Sequence, residues 1–127
     1  KQICENSGLD KVIIWHKEMK FNELLSLYEI SDICFDQCGK HWIGAIGGYA
    51  LYLGKPLIAN DEITHLSDVW PKKNPVCSAK TSDEVFEQIK KLEDISYRKK
   101  ISQDSVVFAK EYFSPEAFMN NHFEVSN

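Results

Sequence analysis

The sequence has no long apolar run and no block of basic residues. No stretch approaches the ~20 apolar residues that a membrane-spanning helix needs, and the first ten residues lack the apolar core of a secretion signal. The 127 residues include 15 Lys and Arg against 19 Asp and Glu, which gives a net charge of −4. Because a mildly acidic chain is poorly suited to binding nucleic acid through counterion release, we expect no nucleic-acid partner. Since no secretion signal is seen, we expect a cytoplasmic location.

Cysteine is also scarce, with 4 residues in the chain. This number is too low for a disulfide-stapled scaffold, so we interpret the cysteines as reduced thiols. Cys34, Cys38 and His41 are loosely clustered, which raises the question of a zinc site. Cys34, however, falls within an apolar strand pattern, where a thiol is usually a small core residue. We therefore predict no metal site.

Short apolar runs alternate with helical patterns along the chain. The runs at 12–15, 33–35, 57–59 and 75–78 predict strands, and a Thr81–Glu84 capping box predicts the start of a helix. This alternation is typical of α/β proteins, so the prediction is one domain over 1–127 with a Rossmann-like parallel sheet flanked by helices. Periodicity predicts the following core residues: Leu24, Leu27, Phe35, Leu51, Leu57, Ile58, Phe86 and Ile89.

Glycines cluster between the second and third predicted strands, ahead of a helix that we expect to begin near Tyr49. Gly44, Gly47 and Gly48 lack the Cβ atoms that would keep a ligand away from the backbone. The first turn of a helix also has unpaired N–H groups and the positive end of the helix dipole, which favour a phosphate. Close packing of the helix on the sheet would select glycine as well. The spacing matches neither the nicotinamide fingerprint nor a Walker loop.

The same segment resembles the C-terminal, nucleotide-sugar-binding domain of retaining GT-B glycosyltransferases. The resemblance runs without a gap over 32–58 and includes Asp36-Gln37, Trp42-x-Gly44 and Gly54-Lys55-Pro56. It implies that the chain is the donor-binding half of an enzyme moving a hexose from a nucleotide diphosphate sugar to a saccharide or lipid-linked acceptor. It also implies that no cofactor or metal is required, and that the enzyme can lie at the inner membrane face.

The resemblance and the strand ends together give a set of candidate site residues. His41 lies where the family has a glutamate near the donor sugar, and we take it as the catalytic candidate. Tyr49 lies where the family's second glutamate binds the ribose. The candidates for donor binding are Gln37 for the sugar, Gly44, Gly47 and Gly48 for the diphosphate, Tyr49 for the ribose and His16 for the base.

The resemblance also implies that this domain is incomplete. In the family, two further strands with an Arg and a Lys for the diphosphate come first, and an N-terminal acceptor domain precedes them. By family topology, the missing strands would lie between the runs at 12–15 and 33–35. We therefore expect this chain alone to be inactive in sugar transfer. Two alternatives stay open: a degenerate, non-catalytic binding module, suggested by the loss of both glutamates, and a fragment of a sugar-nucleotide epimerase.

Overall fold

A computed structural model describes residues 2–36, 38, 45–61 and 73–112 of the chain. Five helices and three short strands lie in this part: α1 (Gln2–Ser7), α2 (Phe21–Ile30), β1 (Cys34–Phe35), α3 (Ala45–Tyr52), β2 (Leu57–Ala59), β3 (Cys77–Ser78), α4 (Ser82–Leu92) and α5 (Ile95–Tyr112). A single turn of 3-10 helix over Leu9–Lys11 follows α1. No helix in the described ranges is long and apolar enough to cross a membrane.

The strands form a parallel sheet in the order β1-β2-β3. Cys34 pairs with Leu57, and Ile58 pairs with Cys77. Because successive side chains of a strand point to opposite faces, β2 contributes to two separate cores, with Leu57 and Ala59 in one and Ile58 in the other. Helices cover both faces, so the predicted α/β class with a parallel sheet flanked by helices is confirmed.

One face of the sheet packs against α2, α3 and α5. Leu57 and Ala59 of β2 contribute to this core, together with Ala50 and Leu51 of α3 and Phe108 of α5. The opposite face packs against α4 and the N-terminal turn. Its buried side chains are Leu9, Ile58, Cys77, Ala79, Ile89 and Leu92. The β2 strand is buried throughout, which explains its continuous apolar sequence.

A glycine fixes the end of α3. Gly54 has φ +73°, and its N–H donates to the Leu51 carbonyl at 2.9 Å, while the Lys55 N–H donates to the Ala50 carbonyl at 2.9 Å. This pair of bonds is a Schellman motif, and Pro56 then prevents the helix from continuing. A Cβ at Gly54 would lie 2.8 Å from Cγ2 of Val106 on α5, so this glycine also permits the close approach of α3 to α5.

Two predictions about the strands are wrong. The run from Val12 to Trp15 forms no strand, and Val12 and Ile14 are 73% and 79% exposed. Phe35, predicted to lie in the core, is 38% exposed. A β-branched run becomes a strand only when a neighbouring strand accepts its hydrogen bonds, and no described strand pairs with 12–15. Phe35 lies on β1, an edge strand with β2 as its one strand neighbour within the described residues, which leaves its ring partly open to solvent.

Candidate functional site

The candidate site lies at the carboxyl edge of the sheet. Because the three strands are parallel, their carboxyl ends meet at this edge, and α3 and α4 begin in the connections that leave it. The α2 helix begins there too. Its other end lies at the amino edge, where Nζ of Lys55, just before β2, donates to the Glu29 carbonyl at 2.9 Å. Three helix N-termini are therefore directed toward one edge.

The α3 helix begins at Ala45, four residues before the predicted start at Tyr49. Gly47 and Gly48 consequently lie inside the helix, where both are buried, rather than in the loop ahead of it. In any α-helix the amides of the first turn have no acceptor within the helix, and the Gly47 amide belongs to this group. The first turn of α3 contains no acidic side chain, so nothing within that turn opposes an anion.

The other two N-termini are occupied by their own side chains. In α2 the Lys20 N–H donates to Oε2 of Glu23 at 3.1 Å. In α4, Oγ1 of Thr81 accepts from the Glu84 N–H at 3.2 Å, and Oε2 of Glu84 accepts from the Thr81 N–H at 3.3 Å. The predicted capping box is thus confirmed. Each of these two helices also has a carboxylate in its first turn, which disfavours a bound phosphate.

Tyr49 lies on the exposed side of α3. Its ring packs against the ring of Phe21, with centroids 5.1 Å apart and planes at 65°, an edge-to-face arrangement. Phe21 is not among the residues predicted from the sequence. Its position could have indicated it, because the first residue of the helix that precedes β1 lies at the carboxyl edge of the sheet. The Tyr49 hydroxyl remains a neutral group that can donate or accept a hydrogen bond.

The remaining predicted residues fall into two groups. His16 is exposed in the irregular segment that leads into α2, five residues before Phe21. Gln37, His41 and Gly44 lie outside the described residues. Of the predicted set, the structure therefore brings together Gly47, Gly48 and Tyr49, which are consecutive along α3.

A hydrogen bond joins the two ends of the connection from β2 to β3. Asn60 is buried directly after the strand. Nδ2 of Asn74 donates to Oδ2 of Asp61 at 3.0 Å, and Oδ1 of Asn74 accepts from the Val76 N–H at 3.0 Å. The first of these bonds joins the two ends of the connection between β2 and β3.

The described thiols are unsuited to nucleophilic chemistry. Burial raises the pKa of Cys34 to about 12 and that of Cys77 to about 11, with Lys55 and Lys91 respectively opposing the rise. Burial, with a smaller contribution from Asp36, also raises the pKa of Cys38. All three are therefore protonated near neutral pH, and a thiol is a much weaker nucleophile than a thiolate. Within the described ranges no group of three or more His, Cys, Asp or Glu side chains could hold a metal ion.

The described part of the carboxyl edge offers groups that can bind a ligand. These groups are the N-terminal turn of α3, the Tyr49 hydroxyl and the exposed side chains of His16, Lys17, Glu18 and Lys20. Comparison with protein-family models, with curated proteins and with solved structures finds no match to this chain.

Proposed function

We propose that this chain is the donor-binding half of a GT-B glycosyltransferase, which moves a hexose from a nucleotide diphosphate sugar to a saccharide or lipid-linked acceptor. The observation that carries the proposal is the N-terminus of α3. It lies at the carboxyl edge of a parallel sheet and has no acidic side chain in its first turn. The resemblance over 32–58 supplies the sugar nucleotide as the bearer of the diphosphate.

In this proposal the first turn of α3 binds the diphosphate. Charge builds up on the leaving diphosphate as the bond to the sugar breaks, and a fixed helix dipole stabilises that charge without having to reorient. Gly47 and Gly48 lack the Cβ atoms that would keep the diphosphate away from the backbone, and the Gly47 amide donates a hydrogen bond to it. Gly44 allows the backbone to approach the phosphates. The helix has the eight residues from Ala45 to Tyr52, enough for a dipole at its N-terminus.

The other candidate residues have roles around the diphosphate. Tyr49 donates its hydroxyl to the ribose, His16 contacts the edge of the base, and Gln37 contacts the donor sugar. His41 acts at the reacting sugar carbon. We propose that the acceptor binds mainly to a separate N-terminal domain, so that this chain binds donor without transferring sugar by itself.

The proposal is tested by titrating the full-length protein with uridine and guanosine diphosphates in a calorimeter. One of the two should bind, and Tyr49→Phe should weaken that binding about 2- to 10-fold, because one hydrogen bond contributes ~0.5–1.5 kcal/mol. Tyr52→Phe removes the hydroxyl of an exposed tyrosine at the other end of α3 and serves as the matched control. Absence of binding at millimolar concentration for both nucleotides would contradict the proposal.

A non-catalytic binding module is the second candidate. Tyr49, where the resembling family has a carboxylate, favours it, because a neutral hydroxyl binds the ribose less strongly than an ionised group does. The two candidates differ in turnover. Incubating the full-length protein with a nucleotide sugar and measuring free nucleotide diphosphate separates them, since a binding module releases none. Formation of a new sugar nucleotide from donor alone would instead indicate an epimerase.

A further inference from the structure

Phe21 and Tyr49 form an exposed aromatic surface whose place in the fold indicates a ligand. The two rings come from different helices, and the side chains are 49% and 46% exposed although they contact each other. We infer that this surface stacks against the base of a nucleotide whose phosphates lie at the N-terminus of α3. This inference rests on the proposed function and adds to it the subsite for the base.

The two helices place the rings beside the proposed phosphate site. Tyr49 is the fifth residue of α3, so the rise of an α-helix puts its Cα about 6 Å along the axis from Ala45. Helical side chains lean toward the N-terminus, which brings the Tyr49 ring back toward the first turn. Phe21 is the first residue of α2 and therefore lies at the same edge. A base stacked here would have its phosphates directed at the start of α3.

The segment that leads into Phe21 has a net positive charge, which suits a nucleotide. Lys17 and Lys20 are exposed there and outnumber the exposed Glu18, although the chain as a whole has a net charge of −4. The carboxylate of Glu23, the acidic residue of the first turn of α2, accepts from the Lys20 backbone N–H. Aromatic rings and cationic side chains in one site bind bases and phosphates together, and a π face accepts any base.

The experiment compares uridine diphosphate with inorganic pyrophosphate as calorimetric ligands of the full-length protein. In the unsubstituted protein uridine diphosphate should bind more tightly. Phe21→Leu should weaken uridine diphosphate binding about 5- to 100-fold, as expected for loss of a stacking contact, and leave pyrophosphate binding unchanged. Phe21→Trp should keep the tighter binding, which separates loss of stacking from loss of folding. Tyr52→Leu, at an exposed tyrosine outside the aromatic surface, should change neither affinity.

A spectroscopic measurement completes the test. The uracil H5 and H6 resonances should shift upfield in the complex through ring currents, and Phe21→Leu should reduce that shift. If both ligands bind but Phe21→Leu affects neither, or if the uracil resonances do not shift, the stacking inference is wrong and the phosphate site stands. If neither of these ligands binds and guanosine diphosphate does not bind either, the proposed function fails, and the inference fails with it.

Discussion

The N-termini of α3 and α4 face the same edge of the sheet but differ in how their amides are satisfied. In α4, Thr81 and Glu84 cap the first turn, and the Oε2 atom of Glu84 also accepts from the Lys80 N–H at 2.6 Å. In α3 the first turn is Ala45-Ile46-Gly47-Gly48, whose side chains contain no hydrogen-bond acceptor. The α4 helix thus satisfies its amides with its own side chains, whereas the first turn of α3 has none that could do so. Our proposal of an anion site at α3 depends on this difference.

The largest effect should come from the residue that ends α3. Gly54→Ala places a methyl group 2.8 Å from Cγ2 of Val106 and forces an alanine to φ +73°. A left-handed residue costs ~1–2 kcal/mol and overpacking ~1–3 kcal/mol, so we expect the free energy of unfolding to fall by about 2–4 kcal/mol. Urea denaturation measures this change. This loss of stability should exceed the loss caused by a substitution at the α4 cap.

Gly8→Ala is the matched control for Gly54→Ala. Gly8 has φ +79°, but a Cβ there would meet nothing within 4 Å. Only the backbone cost of ~1–2 kcal/mol should therefore remain. Equal losses for the two variants would contradict the close approach of α3 to α5.

Alkaline pH should lower the free energy of unfolding over different pH ranges for the thiols of β1, which precedes α3, and of β3, which precedes α4. Cys34 of β1 and Cys77 of β3 have pKa values raised by burial from 9.0 to about 12 and about 11. Since the unfolded chain loses these thiol protons first, stability is intact below pH 9 and falls above it, by at most ~1.4 kcal/mol per pH unit for each thiol. The fall due to Cys77 should end near pH 11, and that due to Cys34 near pH 12.

Urea denaturation between pH 8 and 12 measures this dependence in Cys34→Ala and Cys77→Ala. Each substitution should make the decline in stability less steep than in the unsubstituted protein. For Cys77→Ala this difference in slope should end near pH 11, and for Cys34→Ala it should continue to near pH 12. The same slope in both variants and in the unsubstituted protein would show that neither thiol is responsible.

The cap of α4 should have a smaller effect. Thr81→Ala removes the hydroxyl that accepts from the Glu84 N–H, and loss of such a cap costs ~1 kcal/mol. Thermal or urea denaturation detects this change, with Ser82→Ala, at the exposed first residue of α4, as the control. Equal stability of Thr81→Ala and the control would mean that α4 does not depend on its cap, and the comparison with α3 would lose its basis.

Much of the fold could be predicted from local patterns. The strand over Leu57–Ala59 and the helix after Thr81 are encoded by a continuous apolar run and by a capping box. The run from Val12 to Trp15 has the same appearance as a buried strand but forms none, because pairing depends on residues far away in the chain. Propensity alone cannot distinguish a strand with a partner from one without.

The site was only partly predictable. Glycine is a poor helix former, so the sequence indicated a later start for α3 than the structure gives. Burial of Gly47 and Gly48 in the helix outweighs that propensity. The contact between Phe21 and Tyr49 joins residues of different helices and leaves no signature in the sequence. Gln37, His41 and Gly44 remain predictions.

The smallest effect should come from the link between α2 and the end of α3. Nζ of Lys55 donates to the Glu29 carbonyl in the last turn of α2, where a cation also interacts favourably with the helix dipole. Lys55→Met should lower the free energy of unfolding by ~0.5–1 kcal/mol. Urea denaturation with Lys99→Met, at an exposed position of α5, as the control measures it. An unchanged stability would indicate that the packing of α2 does not need this bond.

The most direct test of the proposed α3 site is to give the first turn of α3 a carboxylate, as the first turn of α4 has. Ile46 lies in the first turn of α3 and is 41% exposed, so Ile46→Glu places a carboxylate there without disturbing the core. Calorimetric titration with inorganic pyrophosphate should show binding to the unsubstituted protein and to Ile46→Gln, and at least tenfold weaker binding to Ile46→Glu. Equal affinity of all three proteins for pyrophosphate, or no binding by the unsubstituted protein, would contradict an anion site at the N-terminus of α3.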